Sequence, residues 1–208
     1  MLNFSVLVSQ EKSDRITYFG VKAGLNSSTF SGESTKNVDG RESDVQSKFG
    51  FYVGGFFKYK INSKYAIQPE LLFANQTTRI DINRWEGVPV KAGSDIHLPY
   101  ILMPVLFQYK PIRKLKLEIG PQLGYNLGKF ITIKGKVELN NETFDLEERL
   151  NEIARWDFSL MAGLGYDITD SVSTKLRFAQ GINSLDQREN DAFELYHQVL
   201  TLGLEYKL

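Results

Sequence analysis

Residues 115–128, with the sequence LKLEIGPQLGYNLG, carry the clearest structural signal in the chain. The odd positions are mostly large and apolar: Leu115, Leu117, Ile119, Leu123, Tyr125 and Leu127. The even positions are charged, amide or glycine: Lys116, Glu118, Gly120, Gln122, Gly124, Asn126 and Gly128. A period of two residues is typical of a β-strand, because successive side chains of a strand point to opposite faces. The stretch therefore predicts a strand with one apolar and one polar face.

The same alternation recurs along the rest of the chain. It predicts seven more strands, at about 16–26, 48–61, 64–75, 98–110, 156–168, 171–181 and 196–208. Each is long enough for the roughly 9–11 residues that a tilted membrane span requires, and an even number of antiparallel strands can close into a barrel. We predict an all-β fold, an eight-stranded antiparallel up-and-down transmembrane β-barrel over residues 16–208. Residues 1–15 are predicted to be an N-terminal tail or a signal-peptide remnant.

The connections between these strands alternate in length. Tight turns are predicted at 62–63, 111–113 and 169–170. Long polar connections are predicted at 27–47, 76–97, 129–155 and 182–195. This asymmetry is typical of outer-membrane barrels, which have short periplasmic turns and long extracellular loops.

Composition narrows the class of protein. The 208 residues include 25 basic and 25 acidic side chains, so the chain lacks the basic field expected of a nucleic-acid binder. Cysteine is absent, which excludes disulfides and cysteine-based metal or redox sites. Mean hydropathy is -0.27, and no run approaches the roughly 20 apolar residues of a membrane helix. A β-barrel remains compatible with these values, since only alternate residues of its strands face lipid.

The apolar side chains are predicted to face lipid rather than the barrel interior. They are large on nearly every strand, and an eight-stranded barrel has little room for such bulk inside. Aromatic residues on this face concentrate near strand ends, which suggests a lipid-facing girdle of Tyr59, Tyr109, Trp156, Tyr166 and Tyr206. The opposite arrangement, a soluble ligand-binding barrel with an apolar core, is the less favoured alternative.

The polar face carries charges of both signs. We predict that they form a lumen polar network: Lys22, Lys58, Glu70, Glu118, Asp157, Lys175, Arg177 and Glu205. The alternative is a permeation path for small solutes. A packed network is favoured because the interior of an eight-stranded barrel is barely wide enough for its own side chains.

Sites for catalysis or metal binding are not apparent in the sequence. Its two histidines, His97 and His197, fall on opposite faces of their strands, and neither has an obvious nucleophile or orienting acid at a convincing spacing. We therefore predict no catalytic, cofactor or metal site. Leu146, Leu150 and Ile153 form an i, i+4, i+7 stripe within residues 141–155. This stripe suggests a short amphipathic helix that acts as a lid or a docking surface, and a mobile loop is the alternative.

Five short segments resemble one known family. They are FGVKAGLN at 19–26, IQPELLF at 67–73, YILMPVL at 100–106, EIGPQLG at 118–124 and GLGY at 163–166. As a set they resemble the PorT-like outer membrane protein beta-barrel domain family, over about residues 19–208. The resemblance implies an OmpA-like eight-stranded barrel of the bacterial outer membrane, often described as porin-family, with one member acting in type IX protein secretion. The chain ends in Leu208, where outer-membrane barrels usually end in Phe or Trp.

These observations lead to a functional expectation. We expect a non-enzymatic outer-membrane barrel that serves as a structural, surface-interaction or protein-secretion component, without a cofactor. A narrow porin-like channel for small solutes is the alternative, and a lipid-active enzyme is less favoured. The expected partners are outer-membrane lipid and, through the extracellular loops, envelope or secretion-system proteins, with no nucleic acid.

Overall fold

The computed structural model describes residues 17–31, 42–85, 88–128, 131–139, 142–150, 154–184 and 196–208. Within them lie ten β-strands: β1 (Thr17–Ser31), β2 (Glu42–Lys60), β3 (Tyr65–Trp85), β4 (Val88–Tyr109), β5 (Leu115–Asn126), β6 (Ile131–Leu139), β7 (Glu142–Leu150), β8 (Trp156–Asp167), β9 (Val172–Gly181) and β10 (Tyr196–Lys207). The described part of the chain contains no helix long and apolar enough to cross a membrane. The predicted tail over residues 1–15 lies outside the described residues.

Eight of the strands form a closed antiparallel barrel. Their order around the wall is β1-β10-β9-β8-β5-β4-β3-β2. The first and last strands close it, with partners running from Gly20↔Lys207 to Ser31↔Tyr196. Closure gives every barrel strand two hydrogen-bonded neighbours, so the wall has no open edge, as a bilayer requires. The predicted fold class is confirmed.

Tight connections join strands at one end of the barrel, which we call the turn end; the opposite end is the loop end. Side-chain oxygens close two of these turns. Asn62 Oδ1 accepts hydrogen bonds from the backbone N–H groups of Lys64 and Tyr65, at 2.8 and 2.9 Å. Thr169 Oγ1 accepts in the same way from Ser171 and Val172, at 3.3 and 3.0 Å. Asn and Thr favour turns because their short side chains can bond to the backbone two or three residues ahead.

Apolar side chains point outward along the barrel strands. On β5, Leu117 and Ile119 are 39% and 52% exposed, whereas Lys116 and Glu118 are 8% and 4% exposed. The wall is therefore apolar outside and polar inside, as the alternation of residues 115–128 predicts. This inverts the arrangement of a soluble barrel.

The predicted long loop at 76–97 is wrong. Instead, β3 continues to Trp85 and β4 begins at Val88, with pairs such as Thr77↔His97 and Arg79↔Asp95. Alternating apolar residues here are confined to short runs, such as Ile80 with Ile82 and Val88 with Val90. Such short runs do not distinguish a strand from a loop, so the sequence alone does not indicate the continuous pairing of β3 with β4.

The helix predicted within residues 141–155 is also wrong. Residues 142–150 form β7, which pairs with β6 in a separate two-stranded sheet. Leu146 and Leu150 are four residues apart, a spacing that places two residues on one face of a helix and equally on one face of a strand. Ile153, the third member of the stripe, lies outside the described residues.

Candidate functional site

Charged side chains meet across the middle of the lumen. Arg177 on β9 and Glu70 on β3 lie four strands apart in both directions around the wall, so they face each other across the barrel. Arg177 Nη1 donates to Glu70 Oε2 and Nη2 to Glu70 Oε1, each at 2.9 Å. The planar guanidinium and the carboxylate thus form a bidentate pair. Bidentate, charge-assisted pairs are among the stronger side-chain hydrogen bonds. The pair bridges the full width of the lumen.

Two further glutamates complete the set of acceptors around Arg177. Arg177 Nε donates to Glu118 Oε2 at 2.7 Å, and Nη2 lies 3.2 Å from Glu205 Oε1. Lys175 Nζ contacts Glu118 and lies 3.5 Å from Glu205 Oε2. Each of these side chains is almost fully buried. The carboxylates of three strands thus surround two cations of β9.

Lys22 supplies the third cation, from β1. Its Nζ lies 2.8 Å from Glu70 Oε2 and 3.2 Å from Glu205 Oε1. The group therefore contains three basic and three acidic side chains and is formally neutral. Neutrality matters because a buried charge without a partner costs several kcal/mol of desolvation.

Two glutamines join the carboxylates into one hydrogen-bonded unit. Gln108 Nε2 donates to Glu118 Oε1 at 2.7 Å and to Gln68 Oε1 at 2.8 Å. Gln68 Nε2 donates to Glu70 Oε1 at 2.7 Å and to Glu205 Oε1 at 2.8 Å. We call this unit the lumen network: Lys22, Gln68, Glu70, Gln108, Glu118, Lys175, Arg177 and Glu205. Both glutamines lie on the polar face predicted from sequence, but nothing in their spacing indicated their partners.

Apolar side chains pack on the loop side of Arg177. Tyr52, Leu72 and Leu102 pack there as part of a buried cluster. A cavity of about 20 Å³ lies among them, beside Asn26 and Gln122. A volume of this size holds about one water molecule. The lumen network and this apolar layer together fill the centre of the barrel.

Two of the eight side chains predicted to form the lumen polar network lie apart from it. Lys58 is buried nearer the turn end, with its Nζ 5.7 Å from the centre of the Tyr18 ring. Asp157 lies near the loop end, where its Oδ2 is 2.9 Å from His197 Nδ1. The other six are brought together as described above.

The contact between Asp157 and His197 was not predicted from the sequence. The two residues are 40 positions apart, on strands separated by β9, and their shared inward direction was the only available signal. The His197 ring is enclosed by aromatic rings, with centroids 5.4 Å from Phe30 and 5.9 Å from Tyr100. His97 is separate and bonds to Thr77 Oγ1 through Nδ1 at 3.0 Å. Among the described residues, no group of three or more metal-ligating side chains comes together.

Aromatic residues of the predicted girdle lie on the outer wall to different degrees. Trp156, Tyr166 and Tyr206 are exposed, whereas Tyr59 and Tyr109 are half-buried. Tyr109 stacks on Tyr65 with ring centroids 5.2 Å apart, and Trp156 contacts Tyr125 at 4.9 Å.

Comparisons with known proteins agree with this architecture. The family model described as "Outer membrane protein beta-barrel domain" matches residues 8–187. No curated protein matches the sequence.

Solved structures of similar fold have low sequence identity to this chain. Neisserial surface protein A is 15% identical, with 91% of this chain and 97% of that chain covered and a TM-score of 0.47. Ail of Yersinia pestis, in complex with the heparin analogue sucrose octasulfate, is 14% identical, with 92% and 99% covered and a TM-score of 0.48. OprG from Pseudomonas aeruginosa is 13% identical, with 93% and 97% covered and a TM-score of 0.46.

Proposed function

Because the chain belongs to the outer membrane protein beta-barrel domain family and lies in the bacterial outer membrane, we propose that it is a non-enzymatic scaffold that presents binding hairpins at the cell surface. The observation that carries this proposal is the lumen network, in which Arg177 and Glu70 bridge opposite walls. A barrel whose centre is filled by its own side chains provides an anchor rather than a wide passage. In such a barrel, the residues that bind partners lie in the segments beyond the bilayer.

The length of the β3–β4 hairpin supports a role outside the membrane. β3 has 21 residues and β4 has 22, whereas a tilted span needs only about 9–11. About ten residues of each strand are therefore left over. At about 3.3 Å per residue and a tilt near 45°, they would project roughly 20–25 Å beyond the hydrocarbon layer. In this proposal the loop end faces the cell exterior and the turn end faces the periplasm.

The β6–β7 hairpin adds a second paired element at the loop end. Its backbone lies beside β4, so it is next to the β3–β4 hairpin. Two neighbouring hairpins offer a larger and better-ordered contact area than a single free loop. We propose that this pair binds an envelope or surface protein, and that type IX protein secretion is the process it serves.

Deletion of each hairpin tests the proposal. One variant replaces residues 131–150 with a short Gly-Ser linker. The other joins Thr78 to Ile96, which are paired across the hairpin, through Asn-Gly. Both should still fold, seen as a heat-sensitive band in SDS gels, and both should lose partners that cross-link to wild type on intact cells. Retention of every partner by both variants would refute the scaffold role, and unchanged export of surface proteins would refute the link to secretion.

A narrow channel for small solutes is the second candidate function. It is favoured by an open cavity of about 860 Å³ at the turn end, which reaches part of the way through the barrel. Planar bilayers distinguish the two candidates. The scaffold proposal expects wild type to be silent across salts and voltages, and discrete conductance steps would favour the channel.

The non-enzymatic part of the proposal has its own test. A lipid-active enzyme of this fold would depend on the Asp157–His197 pair, the buried acid–histidine contact near the loop end. Replacing His97 and His197 together by Asn should leave the lipid profile of the envelope unchanged. A changed profile that single replacement of His197 reproduces would indicate catalysis.

A further inference from the structure

A basic cavity occupies the turn end of the barrel. Its volume is about 860 Å³, within the range of small-molecule binding sites. Among the described residues that line it, eight are Lys or Arg and three are Asp or Glu. The chain as a whole is neutral, with 25 charges of each sign, so this excess of positive charge is local. We call this space the turn-end vestibule.

Two of the three acidic side chains of the vestibule, Asp167 and Glu205, already have partners. Asp167 Oδ2 lies 3.1 Å from Lys110 Nζ, and Asp167 Oδ1 contacts Lys116. Glu205 belongs to the lumen network, where Lys22, Lys175 and Arg177 surround it. Asp170, the third acid, lies on the turn that precedes β9. Of the eight basic side chains that line the vestibule, only Lys110 and Lys116 form ion pairs within the described part of the chain.

Three of these lysines converge on one aromatic ring. The Nζ atoms of Lys58, Lys60 and Lys207 lie 5.7, 5.7 and 4.7 Å from the centre of the Tyr18 ring. Within the described part of the chain, none of the three forms an ion pair. A ring face attracts each ammonium group but does not neutralise it, so the three groups repel one another.

The burial of Lys58 is energetically unfavourable. It is 3% exposed, yet it lines the vestibule without a carboxylate of its own among the described residues. A buried ammonium group loses hydration and is normally compensated by an anion. Because Lys58 lines the vestibule, an anion bound there would compensate its charge.

We propose that the turn-end vestibule binds a phosphate-bearing anion through Lys58, Lys60 and Lys207. Lysine ammonium groups bind phosphate oxygens as point charges, and several around one concave site focus the field on it. The phosphate is carried either by an anionic phospholipid of the inner leaflet or by a soluble phosphate ester of the periplasm. This site lies at the end of the barrel opposite the proposed binding hairpins and is independent of them.

Calorimetric titration of the full chain in phosphatidylcholine nanodiscs tests the soluble source, with pyrophosphate as the probe. Wild type should bind it saturably, and the double variant Lys60→Gln, Lys207→Gln should bind at least tenfold more weakly. The matched control, Lys48→Gln with Arg155→Gln, removes the same charge outside the vestibule lining and should bind like wild type. All three proteins should show the heat-sensitive folded band.

Nanodiscs that also contain phosphatidylglycerol test the lipid source. The protein is released from the nanodiscs in the mass spectrometer, and native mass spectrometry counts the phosphatidylglycerol molecules that stay bound to it. More lipid on wild type and the control than on Lys60→Gln, Lys207→Gln supports a headgroup as the ligand. Pyrophosphate binding without such a difference supports a soluble ester. Failure of both, or equal loss of binding in the control, would overturn the site.

Discussion

Arg177 and Glu70 are hydrogen bonded across the barrel through both oxygens of the carboxylate, at 2.9 Å each, although they are 107 residues apart in the chain. Their strands pair with different neighbours and never touch each other within the wall. The bond therefore ties opposite walls together directly. The desolvation cost of burying the two charges offsets much of their attraction, so the pair adds little net stability. Its main effect is to favour the strand arrangement that brings Arg177 and Glu70 together.

Removing one partner of this pair should be costly. Arg177→Met leaves Glu70, Glu118 and Glu205 with two cations instead of three. We expect the free energy of unfolding to fall by about 3–5 kcal/mol, as measured by urea titration in lipid vesicles. Lys110→Met is the control, since its ion pair with Asp167 is partly exposed and is expected to contribute no more than about 1 kcal/mol. Equal losses in the two variants would contradict the central role of the lumen network.

Glycines on the inner wall make room for large side chains of β2. A Cβ at Gly203 would lie 2.1 Å from the Tyr52 hydroxyl and 2.5 Å from the Ala23 carbonyl oxygen. Gly203→Ala should therefore lower the free energy of unfolding by about 1–3 kcal/mol through overpacking.

The matched control for this substitution is Gly55→Ala on the outer face. A Cβ there would meet only the Gly20 carbonyl oxygen, at an ordinary 3.5 Å. This variant should unfold within about 0.5 kcal/mol of wild type. A Gly203→Ala protein as stable as Gly55→Ala would show that Tyr52 does not occupy the lumen as described.

A charged side chain on the outer wall should lower the free energy of unfolding by an amount that depends on its depth in the bilayer. Leu164 lies on β8 and is 47% exposed, on the face assigned to lipid. Leu164→Lys should lower the free energy of unfolding by about 2–4 kcal/mol in vesicles. Ile112→Lys, in the turn between β4 and β5, should cost less than about 1 kcal/mol, because that position lies near the interface. Similar costs at the two sites would argue against a lipid-facing wall at Leu164.

Strand positions within the bilayer were predictable because one-sided burial imposes a period of two. Residues 115–128 show this most clearly, and β5, β8 and β9 begin and end within two residues of their predicted limits. The tight turns were also predictable, since Asn62 and Thr169 carry side chains that close them.

Elements outside the bilayer were less predictable for a physical reason. In the outer part of the β3–β4 hairpin, alternating apolar residues occur only in short runs, such as Ile80 with Ile82 and Val88 with Val90. Runs this short do not distinguish a strand from a loop. The spacing of Leu146 and Leu150 fits a helix and a strand equally well. In both places the backbone pairing is specified by a neighbouring strand rather than by a local pattern.

The sequence was least able to predict which side chains contact each other inside the lumen. Alternation placed eight charged residues on the inner face but gave no relative height for any of them. That height depends on the stagger between strands, which sets Lys22 beside Glu70. Among the described residues, Lys58 has no such carboxylate partner. Asp157 likewise meets His197, which sequence spacing did not suggest.

The direction of the side chains on the wall is the claim on which the rest depends, and methyl NMR measures it most directly. The protein would be methyl-labelled at Ile, Leu and Met and placed in nanodiscs containing lipids with a spin label in mid-chain. Ile119 points outward and Leu106 inward at similar depth, since Ile119 pairs with Phe107, the neighbour of Leu106. We predict strong broadening of the Ile119 and Leu164 methyl signals and little at Leu106 and Met161. Broadening of Leu106 and Met161, with Ile119 and Leu164 spared, would contradict the account.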